Sequence, residues 1–176
     1  MIESAPVFSV ARQEILIRKV ADPGGWMSNM SPHSIIYEGR EWWHAEALFQ
    51  ALRLKDEVAR EEIREHRSPM KAKLIAKRFR ELQVVEPMSR QDIENMRLCI
   101  ELKLKRHAPL RRMLLATGDS RIIEDCSSRG RRGTNLFWGA VRVPPEAAGE
   151  VWKWEGHNVL GRLWMEFRAQ LRAAAI

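Results

Sequence analysis

Apolar positions in this chain recur mostly with a helical period. Ala45, Leu48, Phe49 and Leu52 fall on one stripe and predict a helix over 44–54. A charged helix over 56–66 is expected to stop before Ser68-Pro69. Pro69 suits a first turn, so a helix over 69–80 follows, with Met70, Leu74 and Ile75 inward. The clearest pattern covers 89–106, with Ser89 as N-cap and Ile93, Met96, Ile100 and Leu104 on the buried stripe. A helix over 108–117 carries Pro109 in its first turn and stops at Gly118. Leu160, Leu163, Trp164, Phe167 and Leu171 share one face of a last helix over 157–173. Strand signals are fewer. Residues 14–20 predict a short strand, Asp22-Pro23-Gly24-Gly25 a turn, and 34–42 a strand–turn–strand with Gly39 at the turn. Residues 1–13 read as a loose lead-in, and no internal repeat is present. The expectation is one domain over 1–176, mainly α and multihelical, with a small β element in the N-terminal third.

Composition agrees with one packed domain. The chain has 176 residues, 45% of them hydrophobic, enough for a core and too many for disorder. No apolar run approaches the roughly 20 residues that cross a bilayer. The N-terminus lacks a secretory pattern, and Cys99 and Cys126 fit neither a metal spacing nor a disulfide framework, so a cytoplasmic location is expected. The net charge of +7 favours polyanionic partners such as nucleic acid or nucleotides. Over 121–133, Arg121, Arg129, Arg131 and Arg132 face only Glu124 and Asp125. Within it, Ser127 to Gly133 reads as a flexible basic loop that either contacts phosphates or is only solvated.

Several site types have no trace: no P-loop, no glycine fingerprint after a strand, no HExxH pair. The five histidines are scattered, which gives a metal site little support. Five local features remain. Glu46 follows Trp42-Trp43 at the start of an apolar helix; it is either a first-turn acid facing the helix dipole or a carboxyl at a pocket rim, where apolar surroundings make a general acid. Gly24 to Pro32 is a glycine-entered loop with Ser28 and Asn29 as polar handles for a ribose or phosphate, or a turn capped by Asn29. Lys103 lies beside the Ile100 and Leu104 stripe; it either snorkels to solvent or acts as a nucleophile with a lowered pKa. Phe137-Trp138-Gly139, after Asn135, offers an aromatic platform for a base or a core plug. Asn158, within Gly156 to Gly161, caps the last helix or meets a ligand.

In this order, the features resemble the NADAR family, known from its YbiA-like members. Met27-Ser28-Asn29-Met30 matches the F-S-N-F loop, and Trp42 to Ala51 the W-P-T-S-E-H-Y-F-Q-A segment. Ser68-Pro69-Met70, Lys103 at the lysine of the A-K-F segment, Leu114 to Gly118, Phe137 to Gly139, and Gly156 to Glu166 follow in register. The match covers roughly residues 18–172. Departures are Ala47 for a histidine, Met88 for a tryptophan, Asn135 for an aspartate, Ala140-Val141 after Trp138-Gly139, and an arginine-rich insertion before Asn135.

The resemblance implies a YbiA-like fold and an N-glycosidase that needs no metal or redox cofactor. It implies removal of ADP-ribose from guanine bases in DNA, single-stranded DNA included, as the antitoxin of a DNA ADP-ribosyltransferase toxin. A second activity associated with the family is hydrolysis of riboflavin-pathway ribosylamines. A third outcome, suggested by Asn135, is a non-catalytic ADP-ribose-binding module. By the match Glu46 is the acid/base and Lys103 the Schiff-base nucleophile. Ser28, Asn29, Asn135, Trp138, Gly139 and Asn158 are then expected at the substrate, and Arg129, Arg131 and Arg132 at nucleic acid.

Overall fold

The computed structural model describes residues 5–10, 13–147 and 150–174. In chain order the first half comprises β1 (Val7–Ser9), β2 (Glu14–Ile17), β3 (Ile35–Tyr37), β4 (Arg40–Trp42), α1 (Ala45–Ala51), α2 (Glu57–Glu65), α3 (Pro69–Arg78) and α4 (Arg90–Arg106). Then come α5 (Ala108–Ala116), β5 (Arg121–Glu124), α6 (Asn135–Trp138), β6 (Val141–Val143), β7 (Lys153–Glu155) and α7 (Val159–Ala173). The chain is thus mixed α/β, with strands spread throughout rather than confined to the N-terminal third. It forms two compact units, one of Trp26–Arg111 and one of Met1–Gly25 with Arg112–Ile176.

The Trp26–Arg111 unit is built on α1. Every residue of α1 is buried, because α2, α3 and α4 all pack on this one short helix. It ends at Ala51, short of the expected 54: Leu54 pairs with Gln83 as an isolated bridge, and the Arg53 carbonyl accepts from the Val84 amide at 2.9 Å. Caps fall where their side chains supply acceptors. Asp56 opens α2, Ser68 precedes Pro69 at the start of α3, and Ser89 accepts from the Asp92 amide at 3.2 Å to open α4. The α1 cap is His44, whose Nδ1 accepts from the Ala47 amide at 3.1 Å. Burial holds this imidazole below the ordinary histidine range, with Glu46 opposing, and the neutral ring keeps the lone pair the cap needs. The β3–β4 hairpin turns through Glu38 and Gly39, both at positive φ, as its two-residue loop demands. One expectation fails here. Helix α3 buries Ala72, Ile75 and Ala76, while Met70 and Leu74 are exposed. Against the close-packed α1 and α2, alanines fit where longer side chains would collide.

The other unit contains a β1-β7-β6 antiparallel sheet and a parallel β2-β5 pair. Strand β1 falls inside the expected lead-in over 1–13; residues 1–4 and 11–12 of that segment lie outside the described residues. Ile123, Ala140 and Trp154 form a core against which Phe8, Val10 and Leu16 pack. Helix α7 lies on β5 through Leu160, Leu163, Trp164 and Phe167, all buried. Its Arg168 is also buried, and Nη1 donates to Thr117 Oγ1 and the Ser120 carbonyl at 2.8 Å each, anchoring the turn after α5.

Candidate active site

The site grows from the loop Trp26–Ser31 and the two helices that reach it. Buried Met27 and Ser31 root the loop. Its Asn29 carbonyl accepts from the Glu46 amide at 3.0 Å, fixing the loop to the start of α1. From α4, Asn29 meets Met96 Sδ at 3.0 Å, and Lys103 Nζ donates to the Trp26 carbonyl (2.6 Å), the Ser28 carbonyl (2.9 Å) and Ser31 Oγ (2.6 Å). Glu46 and Lys103, 57 residues apart in sequence, are thereby tied to the same six-residue loop.

Lys103 does not snorkel: it is 1% exposed, among the largest fully buried side chains. Burial lowers its pKa to about 7, and the nearby Cys99 opposes this only weakly. At neutral pH a sizeable fraction of this amine therefore lacks its proton, unlike a surface lysine. The three acceptors hold the ammonium form, and the neutral form must give up one of those donations. Cys99, one turn earlier on α4, is fully buried, and its thiol is pushed far up by burial and by Glu46, with Lys103 pulling the other way. The thiol thus senses both candidate catalytic groups and stays protonated.

Glu46 is 6% exposed. Its Oε1 accepts from Gln50 Nε2 at 2.8 Å, one turn along α1, and Lys73 Nζ from α3 stands 4.0 Å away. Gln50 is oriented in turn: its Oε1 accepts from Arg53 Nη1 at 3.4 Å. Arg53 is clamped by two 2.7 Å bonds to Asp92, which is fully buried, and stacks on Phe49 with its guanidinium 4.3 Å from the ring centroid. A buried bidentate pair of this kind fixes geometry more surely than it adds stability. Its result is a carboxylate with one oxygen engaged by a neutral amide. Gln50, Arg53 and Asp92 were not singled out as site residues. The i to i+4 spacing of Glu46 and Gln50 on a helix was the available signal.

Ser28 and Asn29, expected to hold substrate, are partly committed to the loop itself. Ser28 Oγ accepts from the Met30 amide at 3.2 Å, and the Asn29 amide points to Met96. Two further polar groups belong to this cluster and were missed. His33 Nδ1 lies 3.0 Å from Ser31 Oγ, and the His33 ring meets His107 edge-on at a centroid distance of 5.2 Å. His107 Nε2 donates to the Ser34 carbonyl at 2.7 Å.

The remaining expected residues lie in the other unit, and most of their polar atoms are occupied there. Asn158, at φ 50°, does not cap α7 with its side chain. Its Nδ2 donates to the Ile122 carbonyl at 2.8 Å and its Oδ1 accepts from the Glu124 amide at 2.9 Å, so it stitches the helix start to β5. A Cβ on Gly139 would sit 2.3 Å from the Glu124 carbonyl oxygen, and one on Gly161 2.2 Å from that of Ile122. These glycines let β5, the 138–140 turn and α7 approach closely. Asn135 donates to the Gly130 carbonyl at 2.9 Å, folding the basic loop back on itself. Trp138 is 9% exposed and packs edge-on to Phe137 at 5.1 Å. Arg129 pairs with Glu124 at 2.6 Å and Arg131 with Glu155 at 2.6 Å, while Arg132 is exposed. Among the described residues no three His, Cys, Asp or Glu side chains group as a metal site, and no helix is long and apolar enough to cross a membrane.

The N-glycosidase YbiA of Escherichia coli (strain K12) is 32% identical over 152 residues, covering 86% of this chain and 84% of that protein. A riboflavin biosynthesis protein of Vibrio vulnificus is 26% identical over 172 residues, covering 95% of this chain and 41% of that protein. The NMR structure of E. coli YbiA superposes with a TM-score of 0.72 at 29% identity, covering 96% of this chain and 90% of that one. The NADAR domain model matches residues 16–172, and with it the chain belongs to the NADAR family, among the relatives of the YbiA N-glycosidases.

Proposed function

We propose that this protein is an N-glycosidase that cleaves the bond between ADP-ribose and guanine in DNA, with Glu46 as acid/base and Lys103 as nucleophile. The observation that carries the catalytic part is the joint anchoring of both groups on the Trp26–Ser31 loop, each almost wholly withdrawn from water. Breaking a ribose–base bond builds positive charge at the anomeric carbon, which the Glu46 carboxylate stabilises. The C–N bond breaks as the base nitrogen takes a proton from the acid form of Glu46. Neutral Lys103 forms a bond to the anomeric carbon and gives a proton to the Glu46 carboxylate; Glu46 then passes it to the ring oxygen as the ring C–O bond breaks, leaving a protonated imine with the opened sugar. Water then adds to the imine carbon, and its collapse releases the sugar aldehyde and the amine.

The substrate assignment rests on the NADAR family and on a net charge of +7. Incubation with a guanine-ADP-ribosylated single-stranded oligonucleotide should release ADP-ribose and restore unmodified guanine. Binding without release at any pH from mildly acidic to mildly basic would sink the catalytic reading and leave an ADP-ribose-binding module. A cognate DNA ADP-ribosyltransferase toxin is the partner this activity implies. The second reading, hydrolysis of riboflavin-pathway ribosylamines, is favoured by the Vibrio relative and by the internal pairing of Arg129 and Arg131 with glutamates. Turnover of those ribosylamines with none on the oligonucleotide would select it.

A further inference from the structure

A buried lysine can serve as a nucleophile only if its proton has somewhere to go. Two of the partners identified for Lys103 Nζ, the Trp26 and Ser28 carbonyls, accept hydrogen bonds but cannot pass a proton on. The third, Ser31 Oγ, can, because a hydroxyl accepts one proton while releasing another. Ser31 is itself 1% exposed and has no direct route to water. Its single hydrogen has two acceptors at 3.0 Å, the Trp26 carbonyl and His33 Nδ1, and His33 is only partly buried. The distances 2.6 Å and 3.0 Å make a continuous hydrogen-bonded path from the amine to a ring that borders solvent.

We infer that Ser31 and His33 form the proton outlet of Lys103. With the Ser31 hydroxyl turned from the Trp26 carbonyl to His33, Lys103 Nζ gives a proton to Ser31 Oγ, Ser31 gives its own to His33 Nδ1, and the ring releases one from Nε2 to water. Ser31 ends with its hydrogen turned toward Nζ, donating to the neutral amine where it previously accepted. The hydroxyl therefore replaces the donation that deprotonation removes, and the path runs in reverse when the amine is reprotonated. For this role His33 must be neutral with an open lone pair. Burial, with help from Lys103 and His107, holds its pKa at about 4. The other titratable groups around the amine do not compete: Cys99 on α4 is held protonated, Glu46 on α1 is tied to Gln50, and His107 is bound to the Ser34 carbonyl.

The inference rests on reading Lys103 as the nucleophile, yet its test needs no substrate. Exchange of the Lys103 Nζ protons with solvent is measured by NMR on lysine-labelled full-length protein in mildly acidic buffer. In His33→Phe the exchange should slow by roughly tenfold or more. His33→Asn places an amide oxygen near the position of Nδ1, so it holds Ser31 but relays nothing, and it should be as slow as His33→Phe. Wild-type exchange in both variants, or recovery in His33→Asn alone, overturns the relay and leaves His33 as a spacer. With ADP-ribosylated oligonucleotide, both variants should also retard the approach to imine while leaving KM near the wild-type value. Slow exchange in the variants with no turnover by the wild type would sink the proposed function and leave the relay standing.

Discussion

The two units use buried polar residues in opposite ways. In Trp26–Arg111 the buried groups are mostly ionisable and linked through side chains: Lys103 to Ser31 as well as to two carbonyls, Glu46 to Gln50, and Gln50 to the Arg53–Asp92 clamp. In the other unit the polar motif residues are largely spent on backbone. Asn158 satisfies β5 on both sides of its amide, Asn135 turns back the basic loop, and Gly139 and Gly161 make room for carbonyls. Members of both sets fall in the motifs that carry the family resemblance, Glu46, Gln50 and Lys103 in one and Gly139, Asn158 and Gly161 in the other, but for different physical reasons. The first set holds protons in an environment that moves them, while the second set shapes a frame. Substitutions should therefore separate into losses of chemistry with the fold intact and losses of fold.

The largest effect is expected at Glu46. Glu46→Gln keeps the size of the side chain and most of its packing, and turnover should fall by about a thousandfold, with melting shifted by only a few degrees. Collapse of the fold in this isosteric variant would place Glu46 in the frame instead. Next come the glycines. Gly139→Ala forces a Cβ against the Glu124 carbonyl and Cys126 Sγ, and it should cost about 1–3 kcal/mol in urea denaturation. Asn158→Ala removes the side-chain bonds to the Glu124 amide and the Ile122 carbonyl and should cost a similar 1–3 kcal/mol. The activity that remains per folded molecule tells whether Asn158 also touches substrate; an unchanged value keeps it in the frame.

Lys103 gives a pH signature. The unfolded chain keeps this proton up to about 10.5, whereas the folded protein releases it near about 7. Between those values the unfolded state binds more protons, so stability rises with pH, by at most about 1.4 kcal/mol per unit. Below about 7 the full cost of burying the charge is present. Lys103→Met should flatten this rise, as read from denaturation midpoints across that range. The smallest effect is expected from replacing Arg129, Arg131 and Arg132 together by alanine. Two of the three already pair with glutamates, so affinity for the modified oligonucleotide should weaken modestly, with a shallower salt dependence. An unchanged affinity would remove the basic loop from DNA binding and sharpen the second reading.

The helices were legible in the sequence because their apolar period spans several turns and their caps are polar. Ser89, Asp56, and Ser68 before Pro69 mark boundaries to within a residue of those observed. Strands β2, β3 and β4 were legible too, because turn signals bound them, but β1, β5, β6 and β7 were not. Val141–Val143 offers one alternation, Lys153–Glu155 is a lone tryptophan between charges, and only pairing with distant partners makes them a sheet. The inward face of α3 was misjudged in part: Ile75 is buried as its periodicity predicts, but Ala72 and Ala76 are buried where Met70 and Leu74 were expected. At the site, Glu46 and Lys103 could be picked out from sequence, but their common loop could not. Nothing in the spacing brings residue 31 to residue 103, and Ser31 and His33 acquire their meaning only from that proximity.

The central claim is that the buried amine of Lys103 attacks the ribose. The most direct test is reductive trapping. Wild-type protein is incubated with guanine-ADP-ribosylated single-stranded DNA and cyanoborohydride, and the adduct is located by intact mass and peptide mapping. The account predicts a reduced ADP-ribose adduct on Lys103, missing in Lys103→Met. Rapid ADP-ribose release with no adduct, or an adduct on any other lysine, would contradict it.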